Sequence, residues 1–314
     1  MNKKLKISII VLAAVFSVVV VSVPTVVFVT RFKNKSMKDV NVIILSGQSN
    51  AIGCKNSEFI IQTMGKEKYD QYNAGFKDVK IAFNNWDCDY TSAARTKTLQ
   101  NYSKGGKFVD VQLGQGNVPE NFGPEVGMAE ELHEKFGNKL YIIKCACGAS
   151  NLNDDWADSN SDMFLNLKNF VGKKMEELKD SGLNPILRAF CWMQGEGDSY
   201  NGYYQYYGFN LERLKYNLDT EFLKYTEDNN LPFIDAGIGP GYDRDEKKNT
   251  WEFYQEVNTQ KIQFAAKSDS NIFIDTIAEG LHSDQEPKDY VHYDSESVIK
   301  LGHLFARAYE PFLK

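Results

Sequence analysis

Val40-Asn41-Val42-Ile43-Ile44-Leu45-Ser46-Gly47-Gln48-Ser49-Asn50 passes from a compact, mostly β-branched segment straight into a glycine turn. A compact β-branched run of this kind, Val40 to Leu45, reads as a central strand. Open parallel sheets bind ligands beyond the carboxyl ends of their strands, and Ser49 falls at that end. Gly47 permits the tight turn that aims the Ser49 hydroxyl outward. Taken alone, a serine in such a turn is more often a turn residue than a reagent. Gly-Gln-Ser-Asn also differs from the Gly-x-Ser-x-Gly elbow of α/β-hydrolases.

Outward from this stretch, strands and helices alternate. The pattern predicts strands at Val79 to Phe83, Leu140 to Cys145, Pro185 to Met193, Leu231 to Ile238 and Asn271 to Ile277. It predicts helices over Glu125 to Phe136, Met163 to Lys179, Tyr203 to Tyr225, Trp251 to Ala266 and Ser295 to Phe312. Pro124 suits the opening of the first of these, where its missing N–H costs little. Such alternation implies an α/β fold with a parallel sheet and helices on both faces. The stretch from Asn84 to Asn121, rich in Asn, Gly, Lys and Thr, reads as a long excursion over one end of the sheet.

The chain of 314 residues divides into an N-terminal segment with a short linker, residues 1–38, and a globular domain, residues 39–314. Ile7 to Thr30 is an uncharged apolar stretch of about 24 residues, long enough to cross a bilayer. Lysines precede it, and Arg31, Lys33 and Lys35 follow. Its length favours an uncleaved signal anchor over a cleaved signal. Either way the domain is expected on the extracellular face of the membrane or secreted. The two flanks carry nearly equal charge, so orientation is not settled by the positive-inside rule. A net charge of -6 argues against nucleic acid as a partner.

The five cysteines cannot all pair within the chain. Cys145, Cys147 and Cys191 lie in apolar runs and read as buried small hydrophobes. A Cys54-Cys88 bridge is left open. No spacing resembles a zinc site, and Glu131-Leu132-His133-Glu134 lacks the second histidine of a metalloprotease helix. No metal and no cofactor is expected.

A serine nucleophile requires a base, and the base an orienting partner. His133 and His303 lie in helices. Asp289-Tyr290-Val291-His292 sets a carboxylate three residues before an imidazole, a spacing that lets a turn fix the ring tautomer. His282 with Asp284, two residues apart, is a weaker rival. Acyl transfer also needs donors for a developing oxyanion. Gly148 follows one strand, in Cys147-Gly148-Ala149-Ser150. Gln194 follows another, in Trp192-Met193-Gln194-Gly195-Glu196-Gly197-Asp198, and carries an amide.

Together, Gly47 to Asn50, Phe122-Gly123-Pro124-Glu125, Lys144 to Leu152, Trp192 to Asp198 and Asp289 to His292 resemble the SGNH hydrolase superfamily. The closer resemblance is to its sialate O-acetylesterase-like branch, with carbohydrate esterase family 6, over about Val40 to Tyr309. The resemblance implies a three-layer α/β/α sandwich with a mostly parallel central sheet. It implies metal-free deacetylation of an acetylated carbohydrate, with Ser49 as nucleophile, His292 as base and Asp289 as its orienting acid. Implied oxyanion donors are the Ser49 and Gly148 N–H groups and the Gln194 side chain, with Gln48, Asn50 and Glu196 in support. Three residues depart from the pattern: Met193 for a frequent His, Ala149 for a second Gly, and Ala51 for Met. Two rival functions stand beside this one, a non-catalytic glycan-binding module on the same fold and a lipase or thioesterase acting on longer acyl chains.

Overall fold

The computed structural model describes residues 37–100, 106–200, 202–243, 248–283 and 289–314. The apolar stretch Ile7 to Thr30 lies outside the described residues, and so does Asp284. Among the described residues no helix is long and apolar enough to cross a membrane.

The main sheet is built from β1 (Lys38–Gly47), β2 (Phe76–Cys88), β3 (Lys97–Leu99), β4 (Val109–Val111), β5 (Leu140–Gly148), β6 (Leu183–Met193), β7 (Phe233–Ala236) and β8 (Asn271–Ile274). Their order is β8-β7-β6-β1-β5-β2-β3, with β4 also on β2. All neighbours from β8 to β2 run parallel. β1 sits at the centre because its side chains suit nothing else: Val42, Ile43, Ile44 and Leu45 are fully buried on the two faces. Helices cover both faces. Glu125–Phe136 packs against Ser295–Tyr309, and Tyr207–Phe222 packs against Tyr254–Ala265.

This topology positions the site. The chain leaves β1 for β2 and β5 on one side, then crosses to β6 on the other. The strand order therefore reverses at β1, and a crevice opens at the carboxyl ends. Register brings the three ends level, with Gly47 opposite both Ala146 of β5 and Met193 of β6.

The elements differ from the sequence expectation mostly at their ends. The strand expected to Ile238 stops at Ala236, and the one expected to Ile277 stops at Ile274. The helix expected over Tyr203 to Tyr225 is an α-helix only from Tyr207 to Phe222, with a tighter turn at each end. The excursion from Asn84 is more ordered than its composition suggests. Asn84 to Cys88 prolong β2, and β3 and β4 add to its edge antiparallel. These strands have three residues each, too few for a pattern to reveal them. All five cysteines are free. Cys54 and Cys88 do not bridge: the Cys54 Sγ lies 3.5 Å from the Ser49 carbonyl oxygen, and the Cys88 Sγ lies 3.7 Å from that of Arg95.

Candidate active site

The turn after β1 is pressed against β6. Gly47 has φ 138°, and a Cβ there would stand 2.0 Å from the Met193 carbonyl oxygen. Only glycine fits. The Gln48 N–H donates to that same oxygen at 2.9 Å. Ser49 then opens the short helix Ser49–Ile52. First-turn N–H groups have no intrahelical acceptor, so the Ser49 N–H sits where an external acceptor would be served. Ser49 is half-buried and lines a cavity of about 720 Å³ together with Gly148, Asn151 and His292.

His292 reaches that cavity through a tight turn. Asp289 Oδ1 accepts the N–H of Val291 at 3.3 Å and of His292 at 3.1 Å. Asp289 Oδ2 lies 3.0 Å from His292 Nδ1, so Nε2 is the ring nitrogen left for other work. The carboxylate has a second partner that the sequence did not disclose. Lys55 Nζ donates to Asp289 Oδ2 at 3.1 Å, from a side chain only 3% exposed. A separation of 234 residues leaves no local signal for this contact. Burial alone would raise the Asp289 pKa. His292 and Lys55 outweigh it and hold the carboxyl well below its ordinary range. Burial opposes the charged His292 ring, but Cys54 and Asp289 overcome it and the pKa is pushed up to about 10.

The other histidines lie elsewhere. His282 is exposed, and its N–H donates to Ser297 Oγ at 2.9 Å. His303 Nε2 pairs with Glu130 Oε2 at 2.9 Å, and His133 Nδ1 lies 3.8 Å from Asp78 Oδ2.

Asn50 ties the two halves of the site together. Its Oδ1 accepts the N–H of Tyr293, the residue after His292, at 3.0 Å. Its Nδ2 donates to Glu196 Oε1 at 2.7 Å. Glu196 is buried, and burial raises its pKa. It braces Asn50 from below and does not line the cavity.

Gly148 lines the cavity. Ala149 beside it is left-handed, with φ 52°. A Cβ in that region costs about 1–2 kcal/mol, so glycine would take this conformation more readily. Arg95 Nη2 holds the turn by donating to the Ala149 carbonyl oxygen at 3.3 Å.

Gln194 departs from expectation. It is 0% exposed and does not line the cavity. Its Nε2 donates to Gln48 Oε1 at 3.1 Å and to Asp198 Oδ2 at 2.6 Å. The orientation of the amide is determined by its neighbours. Gln48 Oε1 also accepts from Gly195 and Gly197 N–H, so the atom facing it must be a donor. On the other side Tyr207 Oη donates to Gln194 Oε1 at 3.2 Å. With both amide hydrogens committed, Gln194 has none to offer an oxyanion and instead locks Gln48 behind Ser49. Gln194→Ala should therefore cost about 1–3 kcal/mol in stability by stranding buried partners. A variant with normal stability in a thermal melt, but about 10²–10³ slower turnover, would return Gln194 to the oxyanion hole.

The cavity rim is aromatic and polar, with Trp86, Tyr90, Asn117, Tyr200 and Trp251. Trp86 stands near the end of β2, and Tyr90 and Asn117 on the excursion that follows it. Among the described residues no group of three or more His, Cys, Asp or Glu side chains is placed to hold a metal ion.

The sequence model of a family described as carbohydrate esterase, sialic acid-specific acetylesterase, matches residues 39–311. The chain belongs to this family. As a sialic acid-specific acetylesterase family member it is a carboxylic ester hydrolase. No curated protein matches it significantly in sequence. Its fold is similar to that of a protein from Arabidopsis thaliana, at TM-score 0.58 and 20% identity over 88% of this chain and 100% of that one. NanS is similar at TM-score 0.55 and 13% identity, over 88% and 98%. A carbohydrate acetylesterase from Xanthomonas citri reaches TM-score 0.50 and 14% identity, over 87% of this chain and 56% of its own. At these identities the solved structures bear on the fold of this acetylesterase family member, a mostly parallel sheet between helical layers.

Proposed function

We propose that this chain removes O-acetyl groups from carbohydrate through a Ser49 acyl-enzyme, with His292 as base and Asp289 as its orienting acid. The observation that carries the reading is the Asp289-His292 pair at 3.0 Å, opening on the cavity that Ser49 also lines. Ser49 attacks the acetyl carbonyl as His292 takes its proton. The Ser49 and Gly148 N–H groups serve the oxyanion. The sugar hydroxyl leaves with the proton from His292, and water clears the acetyl group by the same steps. Lys55 keeps Asp289 ionised, so the carboxylate steadies the imidazolium without taking its proton.

Aromatic and polar rim residues support a sugar over a long acyl chain, because sugar rings combine apolar faces with hydroxyl edges. The test is acetate release from a panel of acetylated glycans, alongside aryl esters of increasing chain length. Acetate release from at least one glycan, with activity falling as the acyl chain lengthens, is expected. A preference for long chains would favour the lipase or thioesterase reading. Glycan binding with no acetate release would favour the non-catalytic module. For the N-terminal segment we retain the anchor reading, which rests on the composition of Ile7 to Thr30 alone. Recovery of the full chain in the membrane fraction, resistant to high salt, is its test.

A further inference from the structure

Asp289 Oδ2 serves two partners at once. His292 Nδ1 lies 3.0 Å from it, and Lys55 Nζ lies 3.1 Å from it. The other oxygen, Oδ1, is turned to the Val291 and His292 N–H groups. Ring and ammonium therefore draw on the same oxygen. Groups that share an oxygen at these distances stand within roughly 6 Å of each other, the range over which like charges disfavour one another.

Lys55 is not a surface lysine. Its short strand, Lys55–Asn56, pairs antiparallel with Asn121–Phe122, and Lys55 stands opposite Phe122 in register. Its side chain is 3% exposed, against 28% for Asp289. Desolvation makes such a position costly for a lysine unless the charge is matched. A charge so placed acts on its neighbours through protein more than through solvent, and salt screens it little.

Other titratable groups approach the ring from three elements. Glu196 lies under the Ser49 helix, with Oε1 on Asn50 Nδ2. Cys54 follows that helix and lines the cavity. Asp87 of β2 and Arg95 beyond it line the same cavity, with Arg95 Nη2 held by Asp155 Oδ2 at 2.6 Å. Among the described residues, His292 and Lys55 are the two basic side chains paired with Asp289.

We propose that Lys55 is a positioning residue for the reaction, its buried positive charge offsetting the pull of Asp289 on the His292 proton. An imidazole works as a base only when neutral, and Asp289 by itself would hold the proton against that task. Lys55 takes up part of the carboxylate's charge and repels the imidazolium directly, so the ring loses its proton at lower pH. The effect on turnover rests on the Ser49 reading, whereas the effect on the His292 proton does not.

The experiment follows the His292 ring nitrogens by NMR as pH is raised, in the full chain labelled at histidine, beside aryl acetate hydrolysis and a thermal melt. Lys55→Met keeps most of the buried stem and removes the charge. Losing a like charge favours the imidazolium, so the midpoint should rise by at least about 1 pH unit. At a fixed pH below the midpoint, kcat/KM should fall at least about tenfold, in step with that rise. Lys55→Gln should move the midpoint the same way. Lys55→Arg, which keeps the charge, should leave it near the wild-type value. A lysine with a packing role alone would lower the melting temperature and leave the midpoint in place. That result in the neutral variants would overturn the proposal, and so would an equal rise in Lys55→Arg. The same shift on Lys55→Met is expected in a Ser49→Ala background. Wild-type-like turnover by Ser49→Ala would end the serine reading and leave the midpoint result standing, so the two fail separately.

Discussion

Ser49→Ala is expected to lower acetate release by about 10⁴-fold or more without unfolding the protein. The expectation depends on what each atom of Ser49 does. Its backbone builds the turn: its carbonyl oxygen accepts the Gly53 N–H at 2.9 Å, and its N–H stands at the head of the short helix. Gly47 and Gln48 press that turn against Met193. Alanine keeps all of this and removes only the hydroxyl that would bond the acetyl carbon. Residual turnover would come from oxyanion donors and binding alone. The check is acetate release together with a thermal melt. Turnover like that of the wild type would remove Ser49 from the mechanism.

Asp289→Asn should cost up to about 10⁴ in kcat with the geometry kept. The amide can still meet the Val291 and His292 N–H groups that now bond Oδ1. It cannot favour the ring tautomer with hydrogen on Nδ1, nor offset the positive ring formed during acyl transfer. It also leaves Lys55 beside a neutral group, from a nearly inaccessible position. The pH profile gives a second readout. A base works when neutral, so kcat/KM for the wild type should climb as pH rises toward the His292 pKa of about 10. Asp289 stays ionised throughout, since its pKa is held low. Removing the carboxylate removes part of what holds the His292 proton, so the residual activity should reach its plateau at lower pH. An acidic limb unchanged in Asp289→Asn would mean that Asp289 does not act through His292.

Much of the sheet was legible because each central strand repeats one physical pattern. Val42 to Leu45 is an unbroken apolar run and Ile142 to Cys147 is interrupted only by Lys144, as suits strands covered on both faces. The helix Asp162–Asp180 was legible from Phe164, Leu167, Phe170, Val171, Met175 and Leu178, which the structure buries or nearly buries on one side. The edges were not legible. β3 and β4 have three residues each, too few for a periodic pattern, and only the backbone of β2 beside them makes them strands.

The site divides in the same way. By itself the sequence determined the nucleophile turn and the Asp289-His292 turn, because both are local. Gly47, with a φ of 138° that favours glycine, creates the first. A carboxylate reaching back to N–H groups two and three residues on creates the second. Tertiary structure decided what lies across the gaps: Lys55 on Asp289, Asn50 on Tyr293, and Gln194 turned inward to Gln48 instead of out to the cavity. Ser49 carries no chemistry until these long-range contacts assemble around it. The physical reason is that side-chain hydrogen bonds depend on where a strand order reverses and how strands align. Residues far apart in the chain reveal neither until the sheet has formed.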